Sequence, residues 1–190
     1  MNLRINLRGG KINSSTKLVF IFWLLFFNFN CFGNTWVEKK VKLNNFPLQF
    51  KAPKSWQYVE GLYGRDITLL GPEGAKKRDV ITLEHAKSKS FSLKKESKAI
   101  PKYKKIKLAW IKQKEATLLQ FNLGKALPQV QNSHLYNEVS YSLNGIKYVE
   151  GDLFLQCSQK SFLNLSFLTL KENDKKFKEV WINFLKSIKC

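Results

Sequence analysis

The stretch from Ile146 to Cys190 constrains the fold more than any other part of the chain. Apolar and polar residues alternate along residues 146–157 and again along 162–170, which predicts two antiparallel strands joined by a short turn. Over residues 173–189 the apolar positions recur at intervals of three and four, which predicts a helix. They are Phe177, Val180, Trp181, Phe184, Leu185 and Ile188. We therefore expect a hairpin with an amphipathic helix packed back over it.

A third strand precedes this hairpin. Alternation over residues 135–143 predicts the strand, and Asn144-Gly145 supplies the two residues with positive φ that a type I′ turn requires. The sequence thus predicts a three-strand meander ending in a helix. Further strands are predicted in the N-terminal part and before the meander, and Trp56 is expected to close one end of the core. These strands cover residues 35–42, 46–52, 66–70, 79–86 and 117–123.

The segment from Lys87 to Lys114 is strongly basic, with eleven lysines against the single acidic residue Glu96. We interpret residues 93–113 as a helix with a kink or break at Pro101, since Tyr103, Ile106 and Trp110 would then share one face. Apolar residues also alternate from Ile106 to Trp110, so a strand over 106–114 stays open as an alternative. The segment 87–114 has a net charge of +10, which is two-thirds of the +15 that remains after residues 1–33 are removed.

The first thirty-three residues have the pattern of a secretory signal peptide. Four basic residues precede an apolar run over 18–27, and a boundary of small residues follows, for which we expect cleavage near Gly33. A permanent anchor would need about 20 apolar residues, and a lipoprotein anchored through Cys31 would need small residues before that cysteine. Both stay as alternatives. We expect an exported chain, periplasmic or secreted, without a membrane span, and a single globular domain over 34–190.

Removal of this segment leaves two cysteines, Cys157 and Cys190. The strand of the hairpin that leads back from Cys157 and the closing helix are predicted to be of similar length, about 30 and about 25 Å, so the end of the helix should reach the turn that follows Cys157. Cys157 also shares the face of Leu153 and Leu155, which the helix should cover. We predict a disulfide between Cys157 and Cys190, against the alternative of two reduced thiols.

Two stretches resemble the PsbP-like domain family. They are FPLQFKAPKSW at residues 46–56, and YVEGDLFLQCSQKSFLNLSFLTL with the final helix ending in FLKSIKC. The resemblance spans most of residues 40–190 as a pattern of elements. It implies an α+β fold, a PsbP-like α/β/α sandwich with a central antiparallel sheet of about six strands and the C-terminal helix packed on the sheet. It also implies a binding, scaffolding or assembly-assisting role without catalysis.

Catalytic and metal-binding patterns are missing from the sequence. His85 and His134 are far apart, and the sequence has no metalloprotease, redox-dithiol, nucleophile-elbow, phosphate-loop or dinucleotide-binding motif. The acidic residues look scattered. We expect no enzyme activity, no metal and no cofactor. A small secreted hydrolase or thiol enzyme that uses His134 or His85 stays as the alternative.

The basic segment is the candidate contact surface. We expect it to bind an anionic component of the envelope, namely lipid headgroups, lipopolysaccharide or an acidic protein, whereas a merely solvated basic helix is the alternative. Nucleic acid is disfavoured as a partner because base readout favours arginine, and Arg65 and Arg78 are the only arginines left after cleavage. The predicted surface residues are Lys94, Lys95, Lys98, Lys102, Lys104, Lys105, Lys107, Lys112 and Lys114. The sequence does not predict the oligomeric state.

Overall fold

The computed structural model describes residues 35–43, 45–72, 77–87, 98, 100–131, 134–158 and 161–190. The expected signal peptide, Lys94 and Lys95 lie outside these residues. Nine strands and two α-helices are described, with short 3-10 turns at Leu62–Gly64 and Lys171–Asn173. They are β1 (Trp36–Leu43), β2 (Phe46–Pro53), β3 (Gln57–Glu60), β4 (Ile67–Leu70), β5 (Val80–Lys87), α1 (Ile100–Gln113), β6 (Thr117–Lys125), β7 (His134–Leu143), β8 (Ile146–Gln156), β9 (Ser161–Leu170) and α2 (Asp174–Ser187).

Seven strands form one antiparallel sheet in the order β3-β4-β5-β9-β8-β7-β6. The predicted meander is present as β7, β8 and β9, and the turn between β7 and β8 has φ of 52° at Asn144 and 75° at Gly145. Seven strands agree with the expectation of about six in one sheet. The sheet includes β3, which the sequence did not predict, while β1 and β2 form a separate two-stranded sheet.

Helix α2 and the β1–β2 hairpin cover one face of the large sheet. Residues Leu153, Leu163 and Leu165 point to this face, and Phe167 packs against Phe177 and Trp181 of α2, with ring centroids 4.9 and 5.0 Å apart. The hairpin adds Phe50, whose ring meets that of Phe184 edge-on. The main hydrophobic core therefore lies between this face, α2 and the hairpin. Trp56 packs at its margin, as expected.

Helix α1 lies on the opposite face of the sheet. Tyr148 points to α1 and the next residue, Val149, points to the main core, because successive side chains of a strand alternate. A smaller apolar cluster around Ile111, Tyr141 and Tyr148 fills the space under α1. Helices thus lie on both faces of an antiparallel sheet, which is the α/β/α arrangement expected from the resemblance.

Helix α1 runs without interruption from Ile100 to Gln113, so residues 106–113 are helical and the alternative strand is wrong. Pro101 is the second residue of this helix, and of the predicted helical residues before Ile100 only Lys98 lies within the described residues, so the kink or break expected at Pro101 stays a prediction. At its C-terminus the amides of Glu115 and Ala116 donate to the carbonyls of Lys112 and Ile111. Glu115 takes a φ of 54°, the left-handed conformation that ends helices in this way. This turn leads directly into β6.

Candidate functional site

The outward face of α1 carries the exposed lysines. Lys102, Lys105 and Lys112 are exposed, and their spacing of three and seven residues brings them to one side of the helix. Lys98, one turn earlier, continues the same stripe. Lys104 and Lys114 are also exposed. We call Lys98, Lys102, Lys105 and Lys112 the lysine stripe.

Lys107 does not belong to this surface, which corrects the sequence prediction. Its side chain is only 19% exposed, because residue 107 is in phase with Tyr103 and Ile111 and faces the sheet. The ammonium group forms an ion pair with the Glu150 carboxylate and lies 3.9 Å from Oδ2 of Asp152. Lys107 therefore anchors α1 to β8.

Lys104 points toward the neighbouring strand β6. Its ammonium group lies 5.8 Å from the centroid of the Phe121 ring, within the range of a cation–π contact. The helix and this strand run antiparallel, since Gly124 lies against the side chain of Ile100 near the other end of the pair. The surface that includes the stripe therefore continues from α1 onto β6.

Large apolar side chains are also exposed on this surface. Ile106 and Leu108 of α1 are 57% and 40% exposed, and Leu119 of β6 is 45% exposed. The sequence prediction grouped Ile106 with Tyr103 and Trp110, and this was wrong. The buried phase of the helix runs through Tyr103, Lys107 and Ile111, with Trp110 packed edge-on against Tyr141, and it leaves Ile106 outside.

Beneath α1 lies a polar cluster that the sequence prediction missed. Asp152 accepts hydrogen bonds from the Tyr103 hydroxyl at 2.5 Å and from the Ser166 hydroxyl at 2.6 Å. Burial raises the pKa of Glu150 above its ordinary value, although the charge of Lys107 opposes this shift. Burial, together with the negative charge of Asp152, raises the pKa of Tyr103. The carboxylates are thus committed to holding the helix in place.

The signal for this cluster was present in the sequence. Glu150 and Asp152 are two residues apart in a predicted strand, so they share the face opposite Leu153 and Leu155. A helix over that face would have to supply a cation, and among the lysines of α1 only Lys107 is in phase with Tyr103. The interpretation of the acidic residues as scattered therefore overlooked this pair on one face of a strand.

A second polar cluster lies at the beginning of α2. Glu138 accepts a hydrogen bond from the Tyr136 hydroxyl at 2.6 Å, and Lys178 lies 3.4 Å from Glu138 and 3.1 Å from Asp174. Burial lowers the pKa of Lys178, but the two carboxylates outweigh this effect and raise it. Lys171 also contacts Asp174, at 3.1 Å. These charges are paired within the cluster, which connects α2 to β7.

The residues of the alternative enzyme hypothesis have structural contacts. The Nε2 atom of His134 accepts a hydrogen bond from the Leu127 amide at 2.6 Å, and the ring of His85 stacks on Phe46 with centroids 4.2 Å apart. A disulfide joins Cys157 to Cys190, the predicted pairing, so neither sulfur is a free nucleophile. The described part of the chain contains no group of three or more residues able to hold a metal ion. Nothing here supports the hydrolase or thiol-enzyme alternative.

No protein-family model matches the chain, and no curated protein matches it. Solved structures do match. LpqN of Mycobacterium tuberculosis, described as involved in cell envelope biogenesis, has a TM-score of 0.57 at 14% identity, over 82% of this chain and 91% of LpqN. The likeness shows the fold. It is no evidence of a shared activity, ligand or partner, because an identity of 14% supports only a similarity of fold.

Two further matches are more distant. The cyanobacterial PsbP of Synechocystis has a TM-score of 0.47 at 9% identity, over 80% of this chain and 91% of that protein. The Ran-binding protein Mog1p of Saccharomyces cerevisiae has a TM-score of 0.49 at 10% identity, over 82% of this chain and 96% of Mog1p. The PsbP-like fold expected from the sequence is supported at the level of the architecture: an antiparallel sheet, a helix on each face and α2 against the main core.

Proposed function

We propose that this chain is a non-catalytic, exported binding module whose lysine stripe on α1 attracts an anionic partner of the cell envelope. The observation that carries the proposal is the distribution of charge on this helix. Residues 100–113 contain five lysines and no acidic residue, and Lys107 alone among the five forms an ion pair with the sheet. The remaining four have exposed side chains on the helix.

The comparison with α2 supports this choice of surface. Helix α2 also carries lysines, but Asp174 and Glu179 partly balance them, and Lys178 is paired with Glu138 and Asp174. On α1 the positive charges have no such partners in their own helix. Lys98, Lys102 and Lys105 are three or four residues apart, so their Cβ atoms lie about 5–6 Å from each other, less than the screening length of about 8 Å at physiological salt. Lys112 lies two turns beyond Lys105, about 10 Å along the helix. The first three can therefore act on a partner as one patch of positive charge, which Lys112 extends.

The strength expected of such a patch is modest. Each lysine close to an anionic surface contributes on the order of 1 kcal/mol, so three or four of them give reversible, salt-dependent attachment. This suits a binding or assembly-assisting role. LpqN, whose fold is similar, is described as involved in cell envelope biogenesis, which is compatible with such a role. Export itself rests on the basic and apolar pattern of residues 1–33 and on the disulfide.

Binding to three anionic probes tests the proposal: vesicles containing phosphatidylglycerol, lipopolysaccharide, and poly-glutamate. The test variant carries Lys102→Glu, Lys105→Glu and Lys112→Glu. The matched control carries Lys175→Glu, Lys176→Glu and Lys186→Glu, the same change of charge at exposed positions of α2. We expect at least one probe to bind, less strongly at high salt, and the α1 variant to lose far more affinity than the control. Absence of binding to all three probes, or an equal loss in both variants, would overturn the proposal.

A further inference from the structure

Three exposed apolar side chains surround the lysine stripe. Only four large hydrophobic residues are exposed in the described part of the chain, and three of them, Ile106, Leu108 and Leu119, are on α1 and β6. The fourth, Val37, is on β1. Single exposed apolar residues are ordinary on protein surfaces, but their concentration beside uncompensated lysines is not explained by the packing of α1.

The helix geometry puts these side chains on both sides of the stripe. Successive residues of a helix are rotated by about 100°, so Ile106 lies to one side of Lys105 and Leu108 to the other. Both are too exposed to contribute to the cluster under α1, which is formed around Ile111, Tyr141 and Tyr148. The outward surface of α1 thus has positive charge at its centre and an apolar side chain on each flank.

Strand β6 extends this pattern. It runs antiparallel to α1, with Gly124 beside Ile100 and Phe121 beside Lys104, so Leu119 lies further toward the C-terminal half of the helix. The pairing of β6 with β7 is irregular between Leu118 and Gln120, and Leu119 has no partner residue in the register. An extra residue of this kind changes the direction of side chains at a sheet edge. The irregularity therefore accompanies the exposure of Leu119.

We propose that the anionic partner of this surface is a lipid bilayer, on which α1 lies parallel to the membrane plane; this rests on the function proposed above. A soluble polyanion or an acidic protein would be attracted by the lysines alone. A bilayer surface uses both features, because lysine ammonium groups reach the phosphates while apolar side chains enter the boundary between headgroups and acyl chains. No helix in the described parts of the chain is long and apolar enough to cross a membrane.

Co-sedimentation with vesicles tests the inference. The vesicles contain either phosphatidylcholine alone or phosphatidylcholine mixed with phosphatidylglycerol, and poly-glutamate serves as the lipid-free anion. The test variant carries Ile106→Ser and Leu108→Ser, and the control carries Val37→Ser, an apolar residue exposed outside this surface. Because all three side chains are exposed, the variants should fold, which circular dichroism and thermal unfolding verify.

We expect the double serine variant to bind phosphatidylglycerol vesicles on the order of tenfold more weakly than the wild-type chain, since it loses two side chains that enter the boundary region. Its binding to poly-glutamate should not change, and Val37→Ser should bind vesicles normally. The lipid inference would be overturned if the double serine variant bound vesicles as well as the wild-type chain while the Lys102→Glu, Lys105→Glu, Lys112→Glu variant bound them weakly. The proposal of an anionic partner would then still hold. Failure of the wild-type chain to bind any anionic probe would overturn both.

Discussion

The sulfur of Cys190 is bonded to the sulfur of Cys157, thirty-three residues earlier, and the two Cα atoms lie 5.4 Å apart. The bond connects the segment after α2 to the end of β8. In the same segment, Lys189 exchanges two backbone hydrogen bonds with Gln49 of β2, at 2.8 and 3.1 Å. The C-terminal residues thus join the large sheet to the β1–β2 hairpin, on the face that α2 covers.

Removal of this disulfide should lower stability substantially. A cross-link that closes a loop of this length stabilises a protein by about 3 to 4 kcal/mol in the chain-entropy model. We expect the Cys157→Ala, Cys190→Ala variant to unfold at clearly lower urea concentration than the oxidised wild-type chain. The wild-type chain treated with a reductant is the matched control and should behave like the variant. Identical unfolding midpoints with and without reductant would contradict the prediction.

Lys107 should contribute to stability rather than to binding. Replacing it with Met keeps the apolar stem but leaves the Glu150 carboxylate buried without its cation. We expect Lys107→Met to reduce the free energy of unfolding by about 2 kcal/mol, because an unpaired buried charge is costly. Lys105→Met, at an exposed position of the same helix, should change it by less than about 0.5 kcal/mol.

A double-mutant cycle separates this ion pair from other effects of the substitution. In a Glu150→Gln background the same Lys107→Met change should cost much less, since no carboxylate is left unpaired at position 150. Urea unfolding of the four proteins measures the coupling. Equal costs in both backgrounds would mean that Lys107 acts through packing, and the assignment of its role would be wrong.

Glu150 should also make stability depend on pH. Burial raises the pKa of this carboxyl group in the folded chain above the ordinary value of 4.5, against the opposing charge of Lys107. The folded state therefore binds this proton more tightly than the unfolded chain. The stability gained from this tighter proton binding is fully present below the pKa of Glu150 in the unfolded chain. It is lost as the pH rises through the pKa of Glu150 in the folded chain.

The Glu150→Gln variant lacks this titration and is the reference for it. We expect the free energy of unfolding of the wild-type chain, relative to the variant, to fall as the pH rises from below 4.5 to well above it. Chemical unfolding of both proteins across this range measures the difference. A difference that grows in favour of the wild-type chain would show that the charge of Lys107 outweighs burial and the charge of Asp152, and a constant difference would show that the pKa of Glu150 is not shifted; either result would contradict the prediction.

The sequence predicted the meander and α2 because their patterns allow one interpretation. Glycine after Asn144 fixes the turn, the strand alternation is long, and the apolar stripe from Phe177 to Ile188 has a clear helical period. The disulfide followed from these elements together. By contrast, Gln57–Glu60 is only four residues long and has no alternation of buried side chains, so β3 gave no comparable signal.

The separation of β1 and β2 from the large sheet had no sequence signal either. A hairpin with one apolar face looks the same whether it extends a sheet or packs across it, and the choice depends on contacts such as Phe50 with Phe184. The contact surface on α1 was harder to predict for a similar reason, because it too depends on contacts in the folded chain. A run of lysines does not by itself reveal which of them meets an acid. The phase of α1 over β8 separates Lys107 from Lys105, and the sequence analysis assigned that phase wrongly when it placed Ile106 on the buried face.

Gly151 of β8 lies opposite Phe167 of β9, and the ring of Phe167 covers it. A Cβ atom built at Gly151 would overlap Cε1 of this ring. The ring cannot easily move, because it also packs against Phe177 and Trp181 of α2. We expect Gly151→Ala to reduce the free energy of unfolding by about 2 to 3 kcal/mol, the usual cost of overpacking a core.

A smaller side chain at position 167 provides the control. Phe167→Leu alone should be destabilising because it leaves a cavity beside α2, yet in its presence Gly151→Ala should cost clearly less, since the added methyl group then occupies space that the ring has vacated. Urea unfolding of the two single variants and the double variant measures this coupling. Strictly additive losses would mean that the strand shifts at Gly151 to accept the methyl group, and that the contact with Phe167 does not require glycine.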